Sequence, residues 1–231
     1  MSAARSTQNR GRDQLLVRLI VPIMFAFDSL LVAANLVGRS SGLDWWTVRV
    51  GEAVPFATYQ HSKEIVTVVG LAALALRLQN SGYWFWTGVF TYFLLDDLVD
   101  LRRLAAFGFG TLAGRDTSLG NPAAGALFTV AVAIAASVIL VLLLRRKGPQ
   151  FARDSMILLA IVAGLAVFGV ILNDLDLVLD LGDETRWTMV LLEAAGELYF
   201  LTLATWFVLR RLLSTATPGA SADRLPSDEP T

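Results

Sequence analysis

The chain has 231 residues, 55% of them hydrophobic, with a mean hydropathy of +0.59 and a net charge of −1. The apolar residues fall in long blocks, each near the roughly 20 residues that a hydrocarbon core of about 30 Å demands, which excludes an ordinary soluble domain. The absence of cysteine excludes disulfides and thiolate metal sites.

Residues 1–14 (MSAARSTQNRGRDQ) are polar and basic and have too little apolar surface to order themselves, so they read as a disordered basic tail. The first apolar block, 15–37, is longer than the apolar stretch of a signal peptide and lacks a clean small-residue cleavage site, so it reads as a retained span. Residues 38–63 contain "LDWWTVRVGEAVPFATYQH", whose Trp45, Trp46, Phe56 and Tyr59 suit the headgroup region. The segment is predicted to lie at the outer surface as a short helix interrupted at Pro55.

Spans two and three, 64–80 and 83–100, are joined by "QNSG" (79–82), a turn signal that makes them an antiparallel hairpin. Spans at 123–144, 156–177 and 187–209 complete a six-span transmembrane domain over 15–213. Residues 214–231 (STATPGASADRLPSDEPT) read as a second disordered tail. The fold class is therefore an all-α polytopic bundle. With the N-terminus inside, twelve of the Lys and Arg residues fall on the cytoplasmic side and seven on the other, with "RRK" (145–147) and "RR" (210–211) both inside. Both termini are thus expected to be cytoplasmic, in the plasma membrane of a bacterium.

That topology sorts the acids. Fifteen of the 20 Asp and Glu residues fall on the outer half, which would attract cations. At a rise of about 1.5 Å per residue, Asp28 and Asp96 lie about 10 Å below the outer boundary, and Glu193 and Glu197 about 9 and 15 Å deep. Asp174 and Asp176 are shallower, at the outer end of span five. Glu193 and Glu197 stack at i,i+4, as Asp96 and Asp100 are expected to. Like charges so placed need a counter-charge, a proton or a metal. The candidate group is Asp28, Asp96, Asp97, Asp100, Asp174, Asp176, Glu193 and Glu197, with Arg102 and Arg103 as counter-charges and His61 and Glu64 as possible additions. Asp96, Asp97, Glu193 and Glu197 are the candidate metal ligands. Solvated helix-end acids, or a purely structural Arg–Asp–Glu network, are the plainer readings, and an isolated interfacial histidine is usually incidental.

"DDLVD" (96–100) resembles the DDxxD motif of prenyl-diphosphate enzymes, and "NDLDLVLD" (173–180) superficially resembles the Asp-rich motif of UbiA-type prenyltransferases, whose spacing differs. A resemblance over residues 50–209 covers more of the chain. Asp96, Asp97, Asp174, Glu193, Gly196 and Glu197 make it similar to a group of uncharacterised bacterial multi-pass membrane proteins. In that group Asp-Asp is followed after four residues by His-Glu, and the last span opens Glu-x-Gly-Gly-Glu. Here Arg102 and Arg103 stand where the group has His-Glu, and Leu177 stands at a later His position. The resemblance implies a shared fold and acidic centre.

There is no P-loop, HExxH, GxSxG or nucleophilic cysteine. Three classes follow, in order of preference. The first is a protein with an outward-facing intramembrane site that binds or conducts a cation, with a divalent ion as the candidate (Mg²⁺, or Zn²⁺, Fe²⁺ or Mn²⁺ if histidine takes part). The second is an accessory subunit whose acids pair with Arg102 and Arg103, and the third a metal-dependent enzyme acting on a lipid or isoprenoid. The expected partners are the lipid bilayer and a further copy or another membrane protein, with no nucleic acid.

Overall fold

The computed structural model describes residues 2–40, 54–112, 122–171 and 183–215. These form helices α1 (Ser2–Ser40), α2 (Val54–Leu78), α3 (Gly82–Val99), α4 (Leu101–Leu112), α5 (Pro122–Arg146), α6 (Pro149–Ala166) and α7 (Asp183–Thr215). One π-helical turn, Val167–Ile171, continues α6. There is no strand among the described residues.

Among the described residues, four helices are long and apolar enough to cross a membrane, over Leu19–Val37, Leu127–Arg146, Pro149–Gly169 and Thr185–Thr215. The other two predicted spans form as the helices α2 and α3 but carry more polar and aromatic residues, from Gln60 to Thr67 in α2 and Trp84 to Asp97 in α3. Their position explains this composition. α2 packs between α3 and α7, and a helix surrounded by protein can carry polar groups that find partners there.

Two boundaries differ from expectation. Helical backbone begins at Ser2 rather than near residue 15. Once a span has nucleated a helix, extending it through Ala3, Ala4, Arg5 and Gln8 adds one backbone hydrogen bond per residue fixed. Pro55 does not interrupt a surface helix but sits in the first turn of α2, where a missing N–H has no intrahelical partner to lose. Residues 54–63 therefore belong to α2, which carries Gln60, His61 and Glu64 on one continuous helix. The remainder of the predicted interfacial segment, 41–53, lies outside the described residues, as do Asp174, Asp176 and residues 216–231.

The core joins Leu71, Leu74 and Ala75 of α2 to Tyr83, Trp86 and Phe90 of α3, Phe151, Leu158 and Leu165 of α6, and Leu201, Ala204 and Val208 of α7. A smaller cluster of Leu191, Ala194 and Leu198 meets Leu31, Val32 and Tyr59 where α1 and α2 lean on α7. At the other end of the core Asp154 accepts hydrogen bonds from the Tyr83 hydroxyl and, at 2.8 Å, from Arg211 Nε, and Trp86 Nε1 donates to Ser155 Oγ at 3.0 Å. These contacts tie α3, α6 and α7 together.

The predicted α2–α3 turn has a Schellman-type close. Asn80 N donates to Ala75 O at 3.2 Å and Gln79 N to Leu76 O at 3.4 Å, with Gln79 left-handed at φ 48°. Gly82 follows because the Phe151 ring lies against it, in the space a Cβ would occupy. Gly82→Val should therefore lower the thermal midpoint in detergent by an amount equivalent to about 1–3 kcal/mol. Adding Phe151→Leu to the same chain should recover part of the loss, measured by thermal unfolding of both variants.

Candidate functional site

The predicted carboxylates divide into three environments. Asp28 is wholly buried in α1 and is paired with Lys63 of α2. Lys63 Nζ donates to Asp28 Oδ1 at 2.5 Å and to Leu198 O at 3.2 Å, and it lies 4.2 Å from the Tyr59 ring centre. Thr202 Oγ1 donates to the other oxygen, Asp28 Oδ2, at 2.6 Å. Both carboxylate oxygens are thus satisfied from α2 and α7, and the ion pair fastens α1 to the bundle.

Asp96 is also answered. Arg102 Nε lies 2.7 Å from Asp96 Oδ2, and the Arg102 backbone N–H donates to Oδ1 at 3.1 Å. The second contact caps the first turn of α4, whose opening N–H groups lack intrahelical acceptors. Asp100 makes this possible. It ends α3 in a left-handed conformation, φ 51° and ψ 62°, and its N–H donates to Asp96 O at 2.7 Å. Aspartate tolerates that region better than most side chains. Asp96 and Asp100 therefore do not stack on one helix face, because the helix stops between them. The sequence pattern had missed α4, since a twelve-residue helix beginning at Leu101 looks from composition like a loop flank. The side chain of Arg103 lies outside the described residues.

The third environment is the candidate site. Ligand atoms of His61, Glu64 and Asp97 all lie within 4.8 Å of one another. His61 Nδ1 is 3.2 Å from Glu64 Oε2, and Glu64 and Asp97 are within hydrogen-bonding reach of each other. Gln60 joins Glu197 to the group, with its Nε2 donating to Asp97 Oδ2 at 2.8 Å and Glu197 Oε2 at 3.2 Å. Glu193 acts on Glu197 from one turn away on α7. Two carboxylates facing each other require a proton or a cation between them, since neither ionised group can donate.

Local backbone features bring Glu197 into place. Gly169, in the π turn, lies against the Glu197 carboxylate, and Gly196 lies against the Phe168 ring. A Cβ at either position would occupy the neighbour's space. π turns within α-helices often accompany functional sites, and this one seats α6 against the acidic face of α7. Of the residues singled out from sequence, Asp97, Glu197, His61 and Glu64 come together here, and Asp28 and Asp96 are drawn off into ion pairs. Gln60 and Lys63 were not singled out as site residues. The i,i+4 relation of Gln60 to Glu64 would have flagged it had α2 been read as beginning at Val54, whereas Lys63, adjacent to Glu64, points to another face of the helix and meets Asp28.

The group opens onto a cavity of about 730 Å³. Its polar end is formed by Gln60, Glu64, Asp96, Asp97, Arg102 and Glu197, and its walls by apolar residues of α3, α5, α6 and α7.

The Asp28–Lys63 pair gives a sharp stability test. Lys63→Met leaves Asp28 buried without its cation and should destabilise the protein by about 3–5 kcal/mol. Removing both charges, Asp28→Leu with Lys63→Met, should restore most of that loss. Unfolding midpoints of the single and double variants measure the difference.

Comparison with protein-family models, with curated proteins and with solved structures returns no match to this chain.

Proposed function

We propose that this protein crosses the bacterial plasma membrane six times, with both termini cytoplasmic, and binds a divalent cation in the outer half of the bilayer through His61, Glu64, Asp97 and Glu197. The observation that carries this reading is a contrast in pairing among the described residues. Asp28 has Lys63, Asp96 has Arg102 and Asp154 has Arg211. Glu64, Asp97 and Glu197 share one histidine and one neutral amide. Arg102 acts on Glu197 as well, but its guanidinium is bound to Asp96.

One imidazole nitrogen and several carboxylate oxygens form a donor set suited to Zn²⁺, Mn²⁺ or Fe²⁺. Glu64 is buried, Glu197 partly buried and Asp97 exposed, so a divalent ion would offset charge that is costly chiefly at Glu64. The resemblance to multi-pass proteins with an acidic centre agrees with this reading, and the role of Arg102 in it is to hold Asp96 rather than to block the metal.

The accessory-subunit reading is favoured by the three ion pairs, which behave as structural fasteners. It accounts for Asp28, Asp96 and Asp154 and leaves the Glu64 group without a purpose.

Metal analysis and thermal unfolding against a panel of divalent ions test the proposal. One or more of the ions should raise the midpoint of the wild-type protein, and the rise should vanish in Glu64→Gln and in Asp97→Asn. Saturation at 100 times the dissociation constant corresponds to about 2.7 kcal/mol of stabilisation. Indifference to every ion, with stability lost on Arg102→Ala instead, overturns the metal site.

A further inference from the structure

The cavity beside the acidic group has a shape and a charge that together restrict what can occupy it. Its wall on α3 runs from Trp84 through Gly88 and Tyr92 to Asp96, a length of about 18 Å at a rise of about 1.5 Å per residue. The facing wall on α5 is built from small and aliphatic residues, among them Val132, Ala136 and Ile139. Such a slot admits an extended hydrocarbon, and its volume lies within the range of about 300–1,000 Å³ usual for small-molecule sites.

Only one end of the slot is strongly polar, and there, among the described residues, four carboxylates, Glu64, Asp96, Asp97 and Glu197, meet one guanidinium, Arg102, which is bound to Asp96. An anionic headgroup would add to that excess. A neutral one would leave it standing, and a positively charged one would reduce it in a medium where charge interactions are strong. One turn from Asp96, the half-buried Tyr92 of α3 lies within hydrogen-bonding reach of Thr129 on the facing α5 wall, whose hydroxyl donates to Gly125 O at 3.1 Å and can still accept from the Tyr92 hydroxyl.

We infer that the cavity binds an amphipathic amine, with its hydrocarbon along α3 and its ammonium group among Glu64, Asp97 and Glu197. The inference rests on the reading of this group as a cation site and extends it by naming an organic cation, bound by charge and by burial of its chain. No covalent step is involved.

Gly88 supplies the discriminating variant, because it lines the slot and a Cβ there meets nothing within 4 Å. Gly88→Leu should fold, since leucine favours helix over glycine by up to about 1 kcal/mol, and should fill the slot at a distance from His61, Glu64 and Asp97. The probes are dodecylamine, dodecanol and dodecanoate, measured by equilibrium binding to the full chain in nanodiscs of zwitterionic lipid at neutral pH, with Mn²⁺ stabilisation measured in parallel. Protonated dodecylamine should bind saturably and about tenfold or more tighter than either companion. Its binding should be lost in both Gly88→Leu and Glu64→Gln, while Gly88→Leu keeps whatever Mn²⁺ response the wild type shows. Equal binding of the three probes, or unchanged dodecylamine binding in Gly88→Leu, overturns the inference. If Mn²⁺ acts and dodecylamine does not, the metal reading stands alone. If dodecylamine acts and no divalent ion of the panel does, the amine site stands and the metal reading falls. If neither dodecylamine nor any ion acts, both fall.

Discussion

An ionised carboxylate removed from water must have its charge answered nearby, and this requirement organises the bundle. The desolvation cost of a buried ion amounts to several kcal/mol even after relaxation. Lys63 answers it for Asp28, Arg102 for Asp96 and Arg211 for Asp154. The pairs link α1 to α2, the end of α3 to the start of α4, and α6 to α7. In a bilayer, where apolar helices gain little by leaving lipid for one another, such fasteners fix which helix neighbours which.

Against that background the Glu64, Asp97 and Glu197 group stands apart. Its members come from α2, α3 and α7 and are held together by hydrogen bonds through Gln60 and by contact with His61. Glu64 is buried here and Asp97 exposed, and among the described residues their near contacts are His61 and Gln60 rather than a lysine or arginine. Small residues supply the room. Gly169 lets the Glu197 carboxylate lie on the π turn, and Gly196 lets the Phe168 ring lie on α7, so α6 and α7 approach closely just where the acids gather. The cavity then opens on the side where α3 and α5 touch only lightly.

The helical class of the fold and most of its element positions were legible in the sequence. Long apolar blocks at 15–37, 123–144 and 187–209 leave few alternatives to helices, and "QNSG" marks the turn between α2 and α3 because its residues suit a left-handed close. The start of α2 was less legible. Aromatic residues near Pro55 resemble an interfacial anchor, and nothing local shows that Pro55 opens a helix rather than breaking one. α4 was missed for a related reason, since only the left-handed Asp100 separates it from α3.

What the sequence determined by itself was that carboxylates enter the apolar spans and that their charge must be met, because hydropathy and helical rise are properties of the chain alone. Which partner meets which acid was decided only by the tertiary structure. Asp28 and Lys63 are far apart in sequence, as are Gln60 and Glu197, and no spacing rule links them. Helix packing brings Lys63 to Asp28 and turns Arg102 onto Asp96. It leaves Glu64, Asp97 and Glu197 at the end of an apolar slot with more negative charge than the described side chains around them balance.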